Sequence, residues 1–206
     1  STLGQAKIVA MAQRIRDINP ECALRLEDDF VDPDNVQRIL PADADMVIDC
    51  TDQAAAKVAM ILETRRRGQP LVVCGGAGGK TNPLALRRGD LSQAANDALL
   101  SKLRNTLRRH HGFPRAADAA GKVRKRVPRM MLRALWFDQP ATLPEAWRNA
   151  GRSAAGGEAP AAPGAAQGLS CAGYGSVVMV TAAMGFAAAD EAVHWVLHGC
   201  HPEPGP

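Results

Sequence analysis

The sequence lacks several features that would each point to a particular class of protein. Its five cysteines include no Cys-x-x-Cys pair, so neither a structural zinc site nor a disulfide framework is predicted. No apolar run reaches the roughly 18 residues that a membrane-spanning helix needs. Residues 177–197 come closest, but two acids and a histidine interrupt them. We therefore predict a cytoplasmic protein with reduced thiols and no spanning segment, with membrane association left open.

Aromatic side chains are also scarce, at 4% of the residues, although a hydrophobic fraction of 46% is sufficient for a core. The length of 206 residues suits one domain, or one domain with an extension. The formal net charge of +4 is compatible with an anionic partner.

Apolar runs alternate along the chain in a way that predicts an α/β protein. The pattern is typical of a Rossmann-like, doubly wound and mainly parallel sheet. Residues 46–48 are apolar without alternation, which favours a central strand covered on both faces. The predicted helices are 4–18, 32–40, 53–67, 90–111 and 177–197, and the predicted strands are 23–26, 46–48, 71–74 and 134–138.

Polar residues follow the strand at 46–48 directly. Asp49, Thr51 and Asp52 fall at or just beyond its carboxyl end, which is where ligands bind in open α/β sheets. A carboxylate there is well placed to hold Mg²⁺ together with a nucleotide's phosphates. The alternative is that Asp52 only caps the following helix, because aspartate is a favoured N-cap residue.

A glycine-rich turn, residues 74–80, follows the strand at 71–74. Its glycines allow close approach to a ligand and present amide groups to anions. The spacing matches neither the P-loop nor the dinucleotide fingerprint, and a flexible strand exit explains the turn equally well.

Residues 102–133, named here the basic segment, carry eleven lysines and arginines against one acid, Asp118. A solvated face is the usual reason for a run of charge. So large an imbalance in a chain of modest net charge favours a surface for RNA or DNA phosphates. The eleven residues are Lys102, Arg104, Arg108, Arg109, Arg115, Lys122, Arg124, Lys125, Arg126, Arg129 and Arg133.

Composition divides the chain into three parts. Residues 1–149 are predicted as the α/β domain, with the basic segment as an insert. Residues 150–168 are rich in alanine, glycine and proline and are predicted as a linker. Residues 169–206 contain an apolar helix that packs back on the domain or on a dimer partner.

Several motifs appear in the order and spacing of one known family. The sequence resembles the tRNA threonylcarbamoyladenosine dehydratases, within the ThiF/MoeB/HesA (E1-like) superfamily, over residues 3–111 and 169–198. The motifs are Leu-Gly-Gln-Ala-Lys at 3–7, Arg-Ile-Arg-Asp-Ile-Asn-Pro-Glu-Cys at 14–22, Asp-Asp-Phe-Val-Asp-Pro-Asp-Asn-Val at 28–36, Val-Ile-Asp-Cys-Thr-Asp at 47–52, Gly-Gly-Ala-Gly-Gly at 75–79, Ser-Cys-Ala-Gly-Tyr-Gly-Ser at 170–176 and Val-Thr-Ala-Ala-Met-Gly-Phe at 180–186.

The resemblance implies an ATP-dependent enzyme that adenylates the carboxylate of N6-threonylcarbamoyladenosine at position 37 of tRNA, so that the group cyclises with loss of water. It implies that Lys7 contacts the phosphates, that Asp52 positions Mg²⁺–ATP and that Lys57 also binds the nucleotide. Further implied partners are a second copy of the chain and cysteine desulfurases or sulfur acceptors, but not DNA. The implied substrate loop is Gly75, Gly76, Gly78 and Gly79, and the implied tRNA contacts are Lys102, Arg104, Arg108, Arg109, Lys122, Arg124, Lys125 and Arg126.

The chain also departs from the family's pattern. The first strand, the Gly-x-Gly-Gly nucleotide turn, an acidic residue for the ribose and an arginine are all expected before Ser1. We therefore predict an incomplete N-terminus, with weak or no ATP binding by the sequence as given. Two alternatives stay open, a non-catalytic remnant that binds RNA or a protein and an enzyme that adenylates a sulfur-carrier protein. The missing Cys-x-x-Cys pairs count against the latter.

Overall fold

Helices cover both faces of a four-stranded sheet in the computed structural model, which describes residues 3–118, 121–122, 124–142 and 175–203. Two short 3₁₀ turns, Pro83–Ala85 and Leu91–Gln93, flank the third strand. The elements in chain order are α1 (Lys7–Ile18), α2 (Val36–Ile39), β1 (Val47–Asp49), α3 (Ala54–Arg67), β2 (Leu71–Cys74), β3 (Leu86–Asp90), α4 (Ala98–His110), β4 (Arg133–Phe137) and α5 (Val178–His198).

The strands lie in the order β1-β2-β4-β3, with β1, β2 and β4 parallel and β3 antiparallel to β4. The predicted α/β class with a mainly parallel sheet is therefore confirmed. Because parallel strands point the same way, the residues that follow β1, β2 and β4 meet at one end of the sheet. We call this end, formed by residues 50–52, 75–79 and 138–139, the carboxyl edge.

Two cores fill the space between the helices and the sheet. On one face, α3 and α4 bury a cluster that includes Ile61, Val73, Leu100 and Leu103. On the other face, α5 covers Val72 and its neighbours on β2 and β4. This alternation arises because successive side chains of a strand point to opposite faces.

A buried carboxylate fastens α5 to the sheet. Glu191 is fully buried, and Arg133 at the start of β4 donates two hydrogen bonds to it, of 2.9 and 2.7 Å. His201 lies 2.9 Å from its second oxygen. Burial alone would raise the pKa of Glu191, but the contacts with His201 and Arg133 outweigh burial and lower the pKa. These contacts hold α5 against β4, where it packs on the sheet.

Some predicted elements differ from the structure. Residues 23–26 form no strand, and their hydrogen bonds are made by side chains such as Arg25, which donates to Arg38 O at 3.0 Å. The single helix predicted at 90–111 is divided in the structure into the last residue of β3, a 3₁₀ turn and α4. The division arises because Asp90 caps the 3₁₀ turn and Asp97 caps α4. The strand β3 was not predicted, since its sequence Leu-Arg-Arg-Gly-Asp lacks an apolar run.

The strand β1 is an edge strand within the described residues, which corrects the prediction of a central strand covered on both faces. It pairs with β2 alone. Its Ile48 remains 39% exposed because α5 covers β2 and β4 instead.

The predicted linker at 150–168 lies outside the residues that the structure describes. Among the helices that are described, none is long and apolar enough to cross a membrane.

Candidate functional site

A buried ion pair lies directly behind the carboxyl edge. The ammonium of Lys57, on the first turn of α3, lies 3.1 Å from Asp49 Oδ2, and both side chains are fully buried. Lys57 also donates to Cys74 O at 2.8 Å, while Asp49 Oδ1 accepts from the backbone and hydroxyl of Thr51. The pair therefore ties the ends of β1 and β2 to α3.

This burial bears on the role predicted for Lys57. Direct contact of Lys57 with a nucleotide stays a prediction. Its ammonium is enclosed by Asp49 and Cys74, so the contacts that the structure gives it are within the protein. We expect it to hold the strand ends in position, because an unpaired charge at this depth would be strongly destabilising.

Asp52 lies at the carboxyl edge with its carboxylate unused by the fold. The N-cap residue of α3 is Gln53, and no side chain caps that helix end. The alternative that Asp52 only caps the helix is therefore wrong. Within the described part of the chain, no hydrogen bond or ion pair reaches the Asp52 carboxylate, which leaves it available to a cation.

The glycine-rich turn uses most of its amides within the protein. Gly75 N donates to Leu135 O at 2.8 Å, Gly76 N to Asp97 Oδ2 at 2.8 Å, and Gly79 N to Gly175 O at 3.2 Å. Among the described contacts, only the amides of Ala77 and Gly78 have no acceptor. The predicted anion-binding surface of this turn thus narrows to those two groups.

Two buried side chains that sequence reasoning missed hold this turn in place. Asp97 accepts from Gly76 N and, as the N-cap of α4, from Leu100 N at 2.9 Å. Lys80, which is 5% exposed, donates to Asn96 O at 2.6 Å and to Gln139 O. Burial lowers the pKa of Lys80, and Asp97 acts in the opposite direction. The N-cap preference for aspartate was the available signal for Asp97.

Gly75 and Gly76 offer a matched pair of substitutions. A Cβ at position 75 would lie 2.2 Å from Asp97 Oδ2, whereas one at position 76 would meet nothing within 4 Å. Gly75→Ala is therefore expected to lower the free energy of unfolding by about 1–3 kcal/mol, as overpacked sites do. Gly76→Ala is expected to change it by less than about 0.5 kcal/mol. Urea unfolding measures both, and equal losses would contradict the close packing of Asp97 on the turn.

Lys7 is the first residue of α1 and is exposed. Of the twelve residues of α1, only Ala12 is buried. Within the described residues, no hydrogen bond or ion pair joins Lys7 to the carboxyl edge. The predicted cooperation of Lys7 with Asp52 therefore stays a prediction.

The basic segment is divided between internal and exposed side chains. Arg104 donates to Ala94 O at 2.6 Å, Arg108 to Pro114 O at 3.0 Å, and Arg133 pairs with Glu191. Residues 102–110 belong to α4, whose buried Leu103 packs in the core, so this part of the basic segment is a helix of the domain. The exposed members are Lys102, Arg109, Arg115, Lys122, Arg124, Lys125, Arg126 and Arg129.

The helix α4 sets the distance between the exposed charges and the carboxyl edge. Its N-cap Asp97 contacts the glycine-rich turn, and its last residue, His110, leads toward the opposite end of the sheet. Thirteen helical residues extend about 20 Å. Arg129, which lines a cavity with Phe113 beyond the end of α4, therefore lies too far from Asp52 to contact one small ligand with it, but a macromolecule can reach both.

A cavity of about 620 Å³ lies at that opposite end. It is lined by residues such as Phe113, Arg129, Met130 and His201, and by none of the carboxyl-edge residues. It is therefore separate from the candidate site.

Two thiols also meet at the carboxyl edge. Cys50 is exposed, Cys74 is buried, and their sulfur atoms are 3.8 Å apart. The hydrogen bond between the two sulfur atoms lowers the pKa of Cys50 to about 7, while burial and Asp49 oppose this change. The same contact, together with burial, raises the pKa of Cys74.

Some groups at the carboxyl edge fit the binding of a nucleotide together with Mg²⁺. The free carboxylate of Asp52 is the hard oxygen ligand that Mg²⁺ prefers, and the free amides of Ala77 and Gly78 suit an anionic group. The fold is thus that of a Rossmann-like α/β protein, and this acidic, glycine-lined edge is its candidate ligand site.

Comparison with known proteins identifies the family. A model of the ThiF family matches residues 1–205, and the chain belongs to this family. It is 31% identical over 197 residues to the tRNA threonylcarbamoyladenosine dehydratase of Haemophilus influenzae, covering 95% of this chain and 67% of the relative. It is 34% identical over 192 residues to the dehydratase of Escherichia coli, covering 93% and 66%.

Solved structures agree with this assignment. The crystal structure of the E. coli dehydratase TcdA in complex with ATP matches with a TM-score of 0.72 and 31% identity, covering 95% of this chain and 65% of that one. The complex with AMP gives the same TM-score and identity. The chain spans about two thirds of the length of these relatives.

Proposed function

We propose that this protein is an ATP-dependent tRNA threonylcarbamoyladenosine dehydratase that acts in the cytoplasm. The observation that carries the proposal is the unpaired Asp52 carboxylate at the same edge of the sheet as the glycine-rich turn, since these residues follow the paired parallel strands β1 and β2. Relatives named as this dehydratase align with over nine-tenths of the chain, and one of them is solved with ATP. These matches support the substrate as well as the reaction class.

The proposed reaction has two steps. A carboxylate oxygen of the threonyl group attacks the α-phosphorus of ATP and pyrophosphate leaves. The urea group of the same nucleoside then attacks the activated carbonyl carbon and AMP leaves, which closes the ring. AMP is needed because hydroxide is a poor leaving group. One water is lost from the nucleoside in total, and its oxygen leaves with AMP.

The residues of this chain have distinct proposed roles. Asp52 would hold Mg²⁺, which neutralises phosphate charge. Lys7 stabilises charge that develops on the phosphates. Lys57 positions Asp49 and the end of β2, and the amides of Ala77 and Gly78 bind the substrate carboxylate. Asp97 and Lys80 keep the turn in the shape that presents those amides.

The test is a reaction of the native protein with tRNA that carries N6-threonylcarbamoyladenosine, in the presence of ATP and Mg²⁺. Mass spectrometry of the digested nucleosides is expected to show loss of one water, with AMP formed in equal amount. Uncyclised nucleoside on tightly bound tRNA would overturn the proposal and favour the non-catalytic RNA-binding alternative. Adenylation of a sulfur-carrier protein instead would favour the alternative that the enzyme activates such a carrier.

We propose further that the exposed part of the basic segment binds tRNA phosphates. Replacing Lys125 and Arg126 with alanine is expected to weaken tRNA binding and to reduce its salt dependence. The slope of log affinity against log salt should fall by about 0.7–0.9 for each phosphate that the variant no longer neutralises. Filter binding over a range of salt concentrations measures this slope.

The matched control replaces Arg14 and Arg16, two exposed arginines on α1, with alanine. This pair removes the same net charge from another surface. If both double variants reduce the slope equally, the basic segment has no specific role in tRNA binding.

We also propose that the outer face of α5 joins two copies of the chain. Val178, Phe186 and Val193 recur at helical spacing on this face, and Phe186 is 77% exposed. Such a stripe on one helix suits a two-fold interface between identical copies. Phe186→Asp is therefore expected to convert dimer to monomer in sedimentation.

Phe30→Asp is the control, because Phe30 is a phenylalanine of similar exposure that lies outside α5. A native protein that sediments as a monomer, or a Phe186→Asp variant that remains dimeric, would contradict this interface.

A further inference from the structure

Cys50 directly follows β1, and Cys74 is the last residue of the neighbouring strand β2. The register pairs Ile48 with Val72 and Asp49 with Val73. The next residue after each pair is Cys50 on one side and Cys74 on the other, so their side chains lie on the same face of the sheet. Their sulfur atoms are 3.8 Å apart, and the two residues are 24 positions apart in sequence.

This placement meets the requirements of a disulfide bond. Neighbouring strands lie about 4.7–4.9 Å apart, which is within the roughly 4.4–6.8 Å between Cα atoms that disulfides span. The sulfur atoms must approach to about 2.05 Å, a change that side-chain rotation supplies. Cys50 is exposed and open to an oxidant, whereas Cys74 is 3% exposed and is reached through Cys50.

We propose that Cys50 and Cys74 form a reversible intramolecular disulfide when the protein meets a peroxide. The Cys50 sulfur attacks one oxygen of hydrogen peroxide, giving a sulfenic acid and water. The Cys74 sulfur then attacks the Cys50 sulfur, the S–S bond forms, and hydroxide leaves and takes the Cys74 proton as a second water. Two thiols lose two electrons in total, and one peroxide is reduced to two waters.

The bond would lie at the carboxyl edge. Cys50 is two residues before Asp52, and Cys74 is the first residue of the glycine-rich turn. The carbonyl of Cys74 also accepts the hydrogen bond from Lys57. Oxidation therefore fixes the separation of the two strand ends that flank the ligand site, and this consequence alone rests on the proposed function.

Peptide mapping tests the pair without any activity assay. The full chain is treated with hydrogen peroxide, the remaining thiols are blocked, and the protein is digested with trypsin without reductant. Trypsin is expected to release residues 39–57 joined to residues 68–80, at the mass of the two peptides less two hydrogens. Dithiothreitol should separate them.

Two variants complete the test. Cys74→Ser should stop at the sulfenic acid, which dimedone traps on residues 39–57, and Cys50→Ser should leave Cys74 unoxidised. The proposal is overturned if wild-type protein gives no joined peptide, if Cys50 goes on to sulfinic acid, or if Cys50 pairs with another cysteine. The joined peptide shows whether the disulfide forms, whether or not the dehydration assay succeeds. Failure of the disulfide proposal can therefore be distinguished from failure of the proposed function.

Discussion

Replacing Asp52 with asparagine is expected to lower the rate of tRNA dehydration by about 10²–10³-fold, the usual cost of removing one electrostatic group from an active site. The side chain keeps its size but loses the charge that would hold Mg²⁺ against the phosphates. Because no hydrogen bond or ion pair within the described residues uses the Asp52 carboxylate, stability should change by less than about 0.5 kcal/mol. Single-turnover kinetics and urea unfolding on the same preparation measure both.

Asp45→Asn is the control for this variant, because Asp45 is an exposed aspartate that precedes β1 at the other end of the same strand. It should keep full activity. If Asp52→Asn keeps full activity as well, Asp52 is not the Mg²⁺ residue. If Asp52→Asn unfolds the protein, the carboxylate has a structural partner.

Replacing Lys57 with methionine is expected to reduce the free energy of unfolding by about 3–5 kcal/mol, as removal of one partner from a buried ion pair does. The change leaves the Asp49 carboxylate buried without its cation and removes the hydrogen bond to Cys74 O. It is the largest single-residue effect on stability that we expect. Urea unfolding of the variant beside the wild type measures it.

Two further variants separate charge from packing. In Lys102→Met the lost ammonium is exposed on α4, so the loss should stay below about 0.5 kcal/mol. Adding Asp49→Asn to Lys57→Met removes the orphaned charge while Thr51 can still donate to the amide oxygen, so much of the stability should return. The ion pair is not the main contribution if the double variant is less stable than Lys57→Met.

The parallel part of the fold was predictable because its signals are local and strong. The run Leu71–Cys74 is apolar at every position, and β2 has those bounds. Gly68 ends α3 with φ of 69°, as expected of a glycine that follows a helix. The local pattern located Asp52 and the glycine-rich turn at the ends of two predicted strands, and the resemblance implied their roles. The parallel topology brings the two to one edge.

The remaining features depend on contacts that are distant in sequence. The strand β3 is held by β4, about 45 residues further along the chain, and has no apolar pattern of its own. The burial of Lys57 results from the packing of α3 under two strands. A lysine in a helix otherwise indicates a solvated face, so the sequence alone could not predict its enclosure.

The number of lysines and arginines in the basic segment overstated the size of the polyanion surface, because contacts within the fold use some of them. Arg104, Arg108 and Arg133 each found an acceptor within the fold. A linear count treats every arginine as exposed, whereas arginine can bury its stem and donate several hydrogen bonds. The exposed remainder is still strongly basic, with Asp118 as the one acid of the segment.

The central claim is that the threonyl carboxylate is activated by adenylation, in which ATP transfers its AMP group to the carboxylate. A heavy-oxygen label tests this claim most directly. Native protein is given tRNA in which both oxygens of that carboxylate are heavy, with unlabelled ATP and Mg²⁺. Our account predicts one heavy oxygen in each AMP formed and one retained in the cyclised nucleoside. Heavy oxygen in inorganic phosphate, or unlabelled AMP beside cyclised product, would contradict it.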